Sequence, residues 1–331
     1  MNIGQLFDPA RAFDDPVTRV TTATIAAAVV ATPVLIRLLV RSGRIAGPLA
    51  DELLVRARSW IVLAAAILLP ILLGTGPTIF GVTILGLLCY REYARATGLF
   101  REKEVSLVVV LGILAVAFAS LDHWYRLFVA LVPLTVGIIA IAAILRDEPK
   151  GYVQRVALGV LGFVLFGSCL GHLGYLANDR QYRPLLILIF LAVELNDVFA
   201  FIVGKSFGRR KLAPKTSPKK TAAGAVGALV LTTLLVAGVG RVIFRGTALA
   251  HPLHLVIFGM LVSVLGQFGD LMLSSIKRDV GIKDMAATIP GHGGLLDRFD
   301  SIILVAPAVF HYVNYFVGVA TDRSPNVITG G

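Results

Sequence analysis

Residues 266–301 read GQFGDLMLSSIKRDVGIKDMAATIPGHGGLLDRFDS, in which Asp270, Asp279, Asp284, Asp297 and Asp300 are interleaved with Lys277, Arg278, Lys283, His292 and Arg298. Carboxylate oxygens hold a hard cation such as Mg²⁺, which keeps several waters and takes phosphate oxygens as further ligands. Lysines and arginines offset the charge of phosphates and of a departing pyrophosphate. A solvated loop is the plain alternative for so polar a stretch, and three features stand against it. Asp270 lies well inside an apolar run, where a carboxylate is costly and generally functional. Asp297 and Asp300 are one helical turn apart and share a face. Gly291, Gly293 and Gly294 permit close approach of backbone to a ligand. A second group lies upstream. Glu194 and Asp197 share one face of another apolar run, and Ser217, Lys219, Lys220 and Thr221 come just before a third, where free N–H groups at a helix start favour phosphate.

The elements that position these residues are membrane helices. The chain has 331 residues, is 56% hydrophobic and 15% charged, and has a mean hydropathy of +0.83. Soluble domains average about 45–50% apolar and about 25% charged. The apolar residues fall in blocks close to the ~20 residues that cross a bilayer. Ten spans are expected, at about 20–40, 58–73, 77–92, 105–120, 126–145, 153–176, 184–204, 221–243, 252–275 and 299–319. The fold class is all-α, a polytopic transmembrane helical bundle of about 9–10 spans. The second and third spans are separated only by Gly74-Thr75-Gly76-Pro77, so they form either a helical hairpin or a partly re-entrant pair. Residues 1–145 read as N-terminal transmembrane helices. Residues 146–331 read as a C-terminal catalytic transmembrane region with cytoplasmic motif loops at 205–220 and 276–298.

The net charge of +11 lies mostly in short loops on alternate sides, which points to lipid headgroups and a cytoplasmic face, and away from nucleic acid. Arg41, Arg44, Arg56, Arg58, Arg91, Arg95, Arg101, Lys103, Arg146, Lys150 and Arg155 fall on one side with the two motif loops. This alternation puts both termini on the opposite side. If the second and third spans do not cross, only the N-terminus changes side. Cys89 and Cys169 sit in apolar runs as small buried residues, with no disulfide framework. The polar, mixed-charge start shows no cleavable signal, so the first apolar run reads as an anchor. His123, His251, His254 and His311 lack ligand-like spacing and read as interfacial. His172 lies inside a span and stays open as a functional candidate. His292 is either a phosphate contact or part of the turn. Arg91-Glu92-Tyr93 with Arg95 reads as a solvated helix end, with pairing to a lipid phosphate as the alternative, and Trp60, Trp124 and Tyr125 read as interface anchors.

The order Ser274-x-Ile276-Lys277-Arg278, Lys283-Asp284, then Pro290-x-His292-Gly293-Gly294-Leu295-x-Asp297-Arg298-Phe299-Asp300 resembles the signature of the phosphatidate cytidylyltransferase (CDP-diacylglycerol synthase) family, with no broken position. Asp197-Val-Phe-Ala-Phe-x-x-Gly204-Lys205, Gly208-Arg209 and Leu212-Ala-Pro214-Lys-x-Ser217-Pro218-x-Lys220-Thr221 is similar to the family's other cytoplasmic motif. The resemblance covers roughly residues 150–320. It departs at Ala222-Ala223, where the family usually carries a bulky residue and then Glu or Gln before the glycine.

The resemblance implies an Mg²⁺-dependent enzyme in the cell membrane that makes CDP-diacylglycerol and pyrophosphate from CTP and phosphatidic acid at the cytoplasmic face. It implies Asp270 and Asp297 as metal ligands, with a second cation as a further option. Asp300 and Asp284 would orient the basic side chains, and Lys277, Arg278, Lys283 and Arg298 would hold the triphosphate and lipid phosphate. Asp197, Ser217, Lys220, Thr221, Gly293 and Gly294 would line the substrate side, with His292 beside them. A homodimer is expected on the same ground. Three rivals remain at this stage: an isoprenoid ether lipid phosphate as acceptor, a paralogue without turnover, and an ion-coupled transporter. The last would show internal repeats, and none is visible.

Overall fold

A computed structural model describes residues 6–45, 47–291, 293–319 and 327–330. The helices run in chain order as α1 (Pro16–Arg41), α2 (Gly47–Leu73), α3 (Thr75–Thr97), α4 (Lys103–Leu121), α5 (Tyr125–Ile144), α6 (Tyr152–Gly162), α7 (Leu170–Leu176), α8 (Tyr182–Phe207), α9 (Ala222–Ile243), α10 (Pro252–Asp279) and α11 (Leu296–Phe316). A π-helical stretch, Phe163–Cys169, joins α6 to α7, so that Tyr152–Leu176 is one continuous span. Among the described residues, nine helical spans are long and apolar enough to cross a membrane. The protein is a polytopic helical bundle.

The helix α3 falls outside those nine because its last turns carry charge, yet it reaches from one end of the bundle to the other. Its start is knitted into a polar layer. The Gly74 turn has φ 142°, a conformation open to glycine. Gly76 N donates to Leu6 O at 2.9 Å, Asp8 N to Leu73 O at 2.9 Å, and the Thr75 hydroxyl to Ala177 O at 3.0 Å. At the other end, Ser59 of α2 donates to Pro290 O at 2.8 Å, and Glu92 of α3 meets the start of α11. The helices α2 and α3 thus form a helical hairpin whose turn and open end lie at opposite ends of the bundle.

Two boundaries differ from those expected. The helix α2 begins at Gly47, well before the apolar run at 58, because residues 47–57 are helical and charged. Ala50 and Ala57 in that extension pack with Ile36 of α1. The 205–220 loop contains a two-stranded antiparallel hairpin, β1 (Lys211–Ala213) with β2 (Ser217–Thr221), which alternating polar residues did not reveal. Close approach of α8 and α9 beneath it depends on glycine. A Cβ at Gly204 would lie 2.8 Å from Thr221 Oγ1 and 3.6 Å from Gly224 Cα. One hydrophobic core joins residues from α2 through α11.

Candidate active site

The site lies at the end of the bundle that carries the β-hairpin and the 280–295 connection. Three carboxylates from three helices come within electrostatic reach of one another: Asp197 of α8, Asp270 of α10 and Asp300 of α11. Glu194, one turn before Asp197, interacts with Asp197 and with Arg298. Gly269 permits this convergence. A Cβ there would sit 2.7 Å from Asp300 O, so α10 and α11 touch backbone to backbone beside Asp270.

Cations hold the acidic cluster together. Lys220, projected inward from β2, places Nζ 2.5 Å from Asp270 Oδ2, and the Ser274 hydroxyl donates to Asp270 Oδ1 at 3.1 Å. Lys277 is buried and donates to Asp297 Oδ1 at 2.8 Å. Arg298 reaches Glu194, Asp197 and Asp300 electrostatically, and its buried Nε has no hydrogen-bond partner among the described residues. Asp300 is buried and receives the Ser301 hydroxyl at 3.3 Å.

Asp297 is engaged differently from Asp270. Its Oδ2 accepts from Met285 N and Gly294 N, both at 2.9 Å, while Oδ1 takes Lys277. It thus organises the connection that returns from α10 to α11. That connection turns on Gly291 and Gly293, at φ 76° and 85°, where side-chain-bearing residues are strained. The connection is closed by a bridge from Ile289 N to Gly293 O at 2.8 Å. His292, a sequence candidate, lies outside the described residues.

The remaining candidates are peripheral to the acidic cluster. Arg278 is exposed, donating from Nη1 to Ile282 O at 2.9 Å and from Nε to Thr216 O at 3.4 Å, which ties α10 to the hairpin. Lys283 and Asp284 are exposed in the connection, Asp284 beside Gly293. Thr221 caps α9 by accepting from Gly224 N at 3.1 Å, and Ser217 starts β2. Ala223 is half-buried in the first turn of α9 and brings no polar group. His172 Nδ1 donates to Ser168 O at 2.7 Å, and the ring packs against Phe128, Phe310 and His311, in an aromatic cluster without site residues.

Glu92 was misread as part of a solvated helix end. It is 6% exposed. Its Oε1 accepts from the Thr288 hydroxyl at 2.6 Å and Leu295 N at 3.0 Å, and its Oε2 from Leu296 N at 2.8 Å. These N–H groups are free at the start of α11, so a carboxylate there satisfies donors and complements the helix dipole. The signal was present in the sequence. A carboxylate inside a long apolar helix marks Glu92 by the same rule that marks Asp270. Asn196, fully buried between Glu194 and Asp197, was also missed. It accepts from Ser263 at 2.6 Å and Thr232 at 3.0 Å, holding α8, α9 and α10 together.

Chemically, the arrangement sets carboxylate oxygens beside lysine ammonium groups. Among the described residues, no three His, Cys, Asp or Glu side chains form a ready-made metal cage. Mg²⁺ commonly takes only one or two carboxylates and completes its shell with water and substrate phosphate. The donor set here fits that mode.

The family model for the cytidylyltransferase family matches residues 54–316. The chain is 30% identical over 272 residues to a phosphatidate cytidylyltransferase of Bacillus subtilis, covering 79% of this chain and 97% of that one. It is 31% identical over 220 residues to a phosphatidate cytidylyltransferase of Rickettsia typhi, covering 65% and 94%. An uncharacterized protein of Escherichia coli, YnbB, is 31% identical over 277 residues, covering 80% and 88%. Both signature segments, with the carboxylates of α8, α10 and α11, fall inside the matched region, and the chain is a nucleotidyltransferase belonging to the cytidylyltransferase family.

Proposed function

We propose that the protein transfers the cytidylyl group of CTP to phosphatidic acid, giving CDP-diacylglycerol and pyrophosphate. A phosphate oxygen of the lipid attacks the α-phosphorus of CTP. The new P–O bond forms as the bond to the β-phosphate oxygen breaks, and pyrophosphate leaves. The nucleophile is already anionic near neutral pH, so positioning and charge neutralisation suffice. The observation that carries this reading is the meeting of Asp197, Asp270 and Asp300 with Lys220, Lys277 and Arg298 at one end of a membrane bundle.

Asp270 and Asp297 are the proposed ligands for Mg²⁺, with Asp197 and Asp300 beside Asp270. Lys220 and Lys277 now neutralise the two proposed ligands. On binding CTP these ammonium groups turn to the triphosphate. Bound there, Mg²⁺ supplies charge neutralisation at the triphosphate. Arg298, with an unpartnered Nε, takes the lipid phosphate, while Asp297 and Glu92 hold the Gly-rich connection in place. Lys283, Arg278, Ser217, Thr221, Gly293 and Gly294 line the approach, and Asp284 orients basic side chains there.

The site end faces the cytoplasm of the cell membrane in this reading, because the basic loops concentrate there. Purified protein incubated with labelled CTP, Mg²⁺ and phosphatidic acid should form a labelled liponucleotide and release pyrophosphate. Product only from an isoprenoid ether lipid phosphate, or no product from any acceptor, would contradict the reading.

A further inference from the structure

We infer that the groove between α2 and α3 seats one acyl chain of the lipid-phosphate substrate, and that the Pro70–Gly81 contact at its floor limits chain length. This rests on the reading above that the acceptor is a lipid phosphate. The cavity is about 320 Å³, and its walls are apolar apart from Thr78. The Thr78 hydroxyl is already bonded, to Gly74 O at 2.7 Å and Pro70 O at 3.1 Å, so the groove offers an incoming chain no unsatisfied polar group.

Position and depth select the occupant. The upper wall is Leu88 with Leu295 and Phe299, and the last two flank Asp297 and Arg298. Phe190, also in the wall, lies one turn of α8 before Glu194, which Arg298 reaches electrostatically, so a chain in the groove hangs below the arginine whose Nε has no hydrogen-bond partner among the described residues. An arginine above an apolar shaft matches an anionic headgroup followed by hydrocarbon. From Leu88 down to Gly81 at the floor is seven residues of α3, about 10 Å at the helical rise of about 1.5 Å per residue. One leaflet is half of the ~30 Å hydrocarbon core, so the shaft ends inside the leaflet that holds the headgroup. Ile84 and Leu88 are exposed on the outer surface, leaving the groove open sideways to the bilayer.

The floor is closed by close approach of two helices. A Cβ at Gly81 would lie 3.1 Å from both Cβ and Cγ of Pro70, so α2 and α3 meet there with no space for a chain to pass. Higher up, Ala66 leaves the shaft wide.

The test measures the ratio of turnover on phosphatidic acid with two eight-carbon chains to turnover with two sixteen-carbon chains. Ala66→Phe fills the shaft and should shift this ratio toward the short substrate by about tenfold, while Val230→Phe, on an exposed face of α9, should leave the ratio as in the wild type. An unchanged ratio in a folded Ala66→Phe protein overturns the assignment. A second measurement needs no turnover. Phosphatidic acid with a diazirine at the end of one chain should label segment 66–88 of the wild-type protein, and unlabelled phosphatidic acid should compete. Labelling spread evenly over the lipid-facing helices overturns the groove. Absence of product from every lipid phosphate, with labelling of 66–88 intact, would contradict the catalytic reading alone.

Discussion

The two ends of this bundle use the same residue types in opposite ways. At the end away from the site, Asp122 is buried and saturated. It accepts from Ile328 N at 2.5 Å, Thr329 N at 3.1 Å and the Thr329 hydroxyl at 2.7 Å, while Asn178 donates to Ser120 O at 2.9 Å. Arg183 there donates to Asp8 O at 2.7 Å. Every one of these charges closes a loop or a chain terminus. At the site end, Asp197, Asp270 and Asp300 face one another, and their counter-charges come mainly from lysine and arginine side chains. A carboxylate held by backbone N–H groups is architecture. A carboxylate crowded by others and neutralised by ammonium groups is the kind on which the proposed cation and phosphate binding rests. The division also runs through the site itself, where Glu92 belongs to the first kind, Asp270 to the second, and Asp297 to both, its Oδ2 held by backbone N–H groups and its Oδ1 neutralised by Lys277.

Substitutions can break or sharpen this contrast. The largest effect is expected from Asp270→Asn, which removes a charge without removing a structural bond to backbone. Turnover should fall by at least about a hundredfold with the thermal midpoint in detergent nearly unchanged. Asp297→Asn should lower both turnover and the thermal midpoint, because an amide cannot accept from Lys277, Met285 N and Gly294 N together. A loss of turnover without a loss of stability would place Asp297 wholly with Asp270. Glu92→Ala leaves the Leu295 and Leu296 N–H groups without their acceptor, costing about 1.5–3 kcal/mol of stability. Its turnover should fall less than that of Asp270→Asn, as read in the same pyrophosphate assay. Asp122→Asn should be mildest, costing about 1 kcal/mol and leaving turnover within about twofold of wild type. A large loss of activity there would dissolve the distinction between the two ends.

The spans were legible because hydrocarbon demands long apolar runs, and their order survives almost intact in the helices. What escaped was amphipathic or conditional on partners. The start of α2 is charged, so it fell outside the apolar run although its alanines pack against α1. The hairpin over 211–221 is short, and its pairing comes from the neighbouring helices, which bring its ends together. In the site, Asp270 stood out because it interrupts an apolar helix, and the cluster motif marked the connection after it. Glu92 obeyed the same rule, but nearby Arg91 and Arg95 made its helix end look solvated. Its partners lie about two hundred residues away in the chain. Thr221 carries a feature of another kind. Its place before a helix suggested phosphate binding, and the fold adds a second role that spacing did not show, the capping of that helix by its hydroxyl.

In the proposed mechanism, Asp270 and the carboxylates around it bind a divalent cation together with CTP. Electron paramagnetic resonance of Mn²⁺ titrated into detergent-solubilised protein with CTP tests this most directly. A protein-bound, CTP-dependent Mn²⁺ signal is expected in the wild type, lost in Asp270→Asn and kept in Asp122→Asn. Equal Mn²⁺ binding by wild type and Asp270→Asn would contradict it.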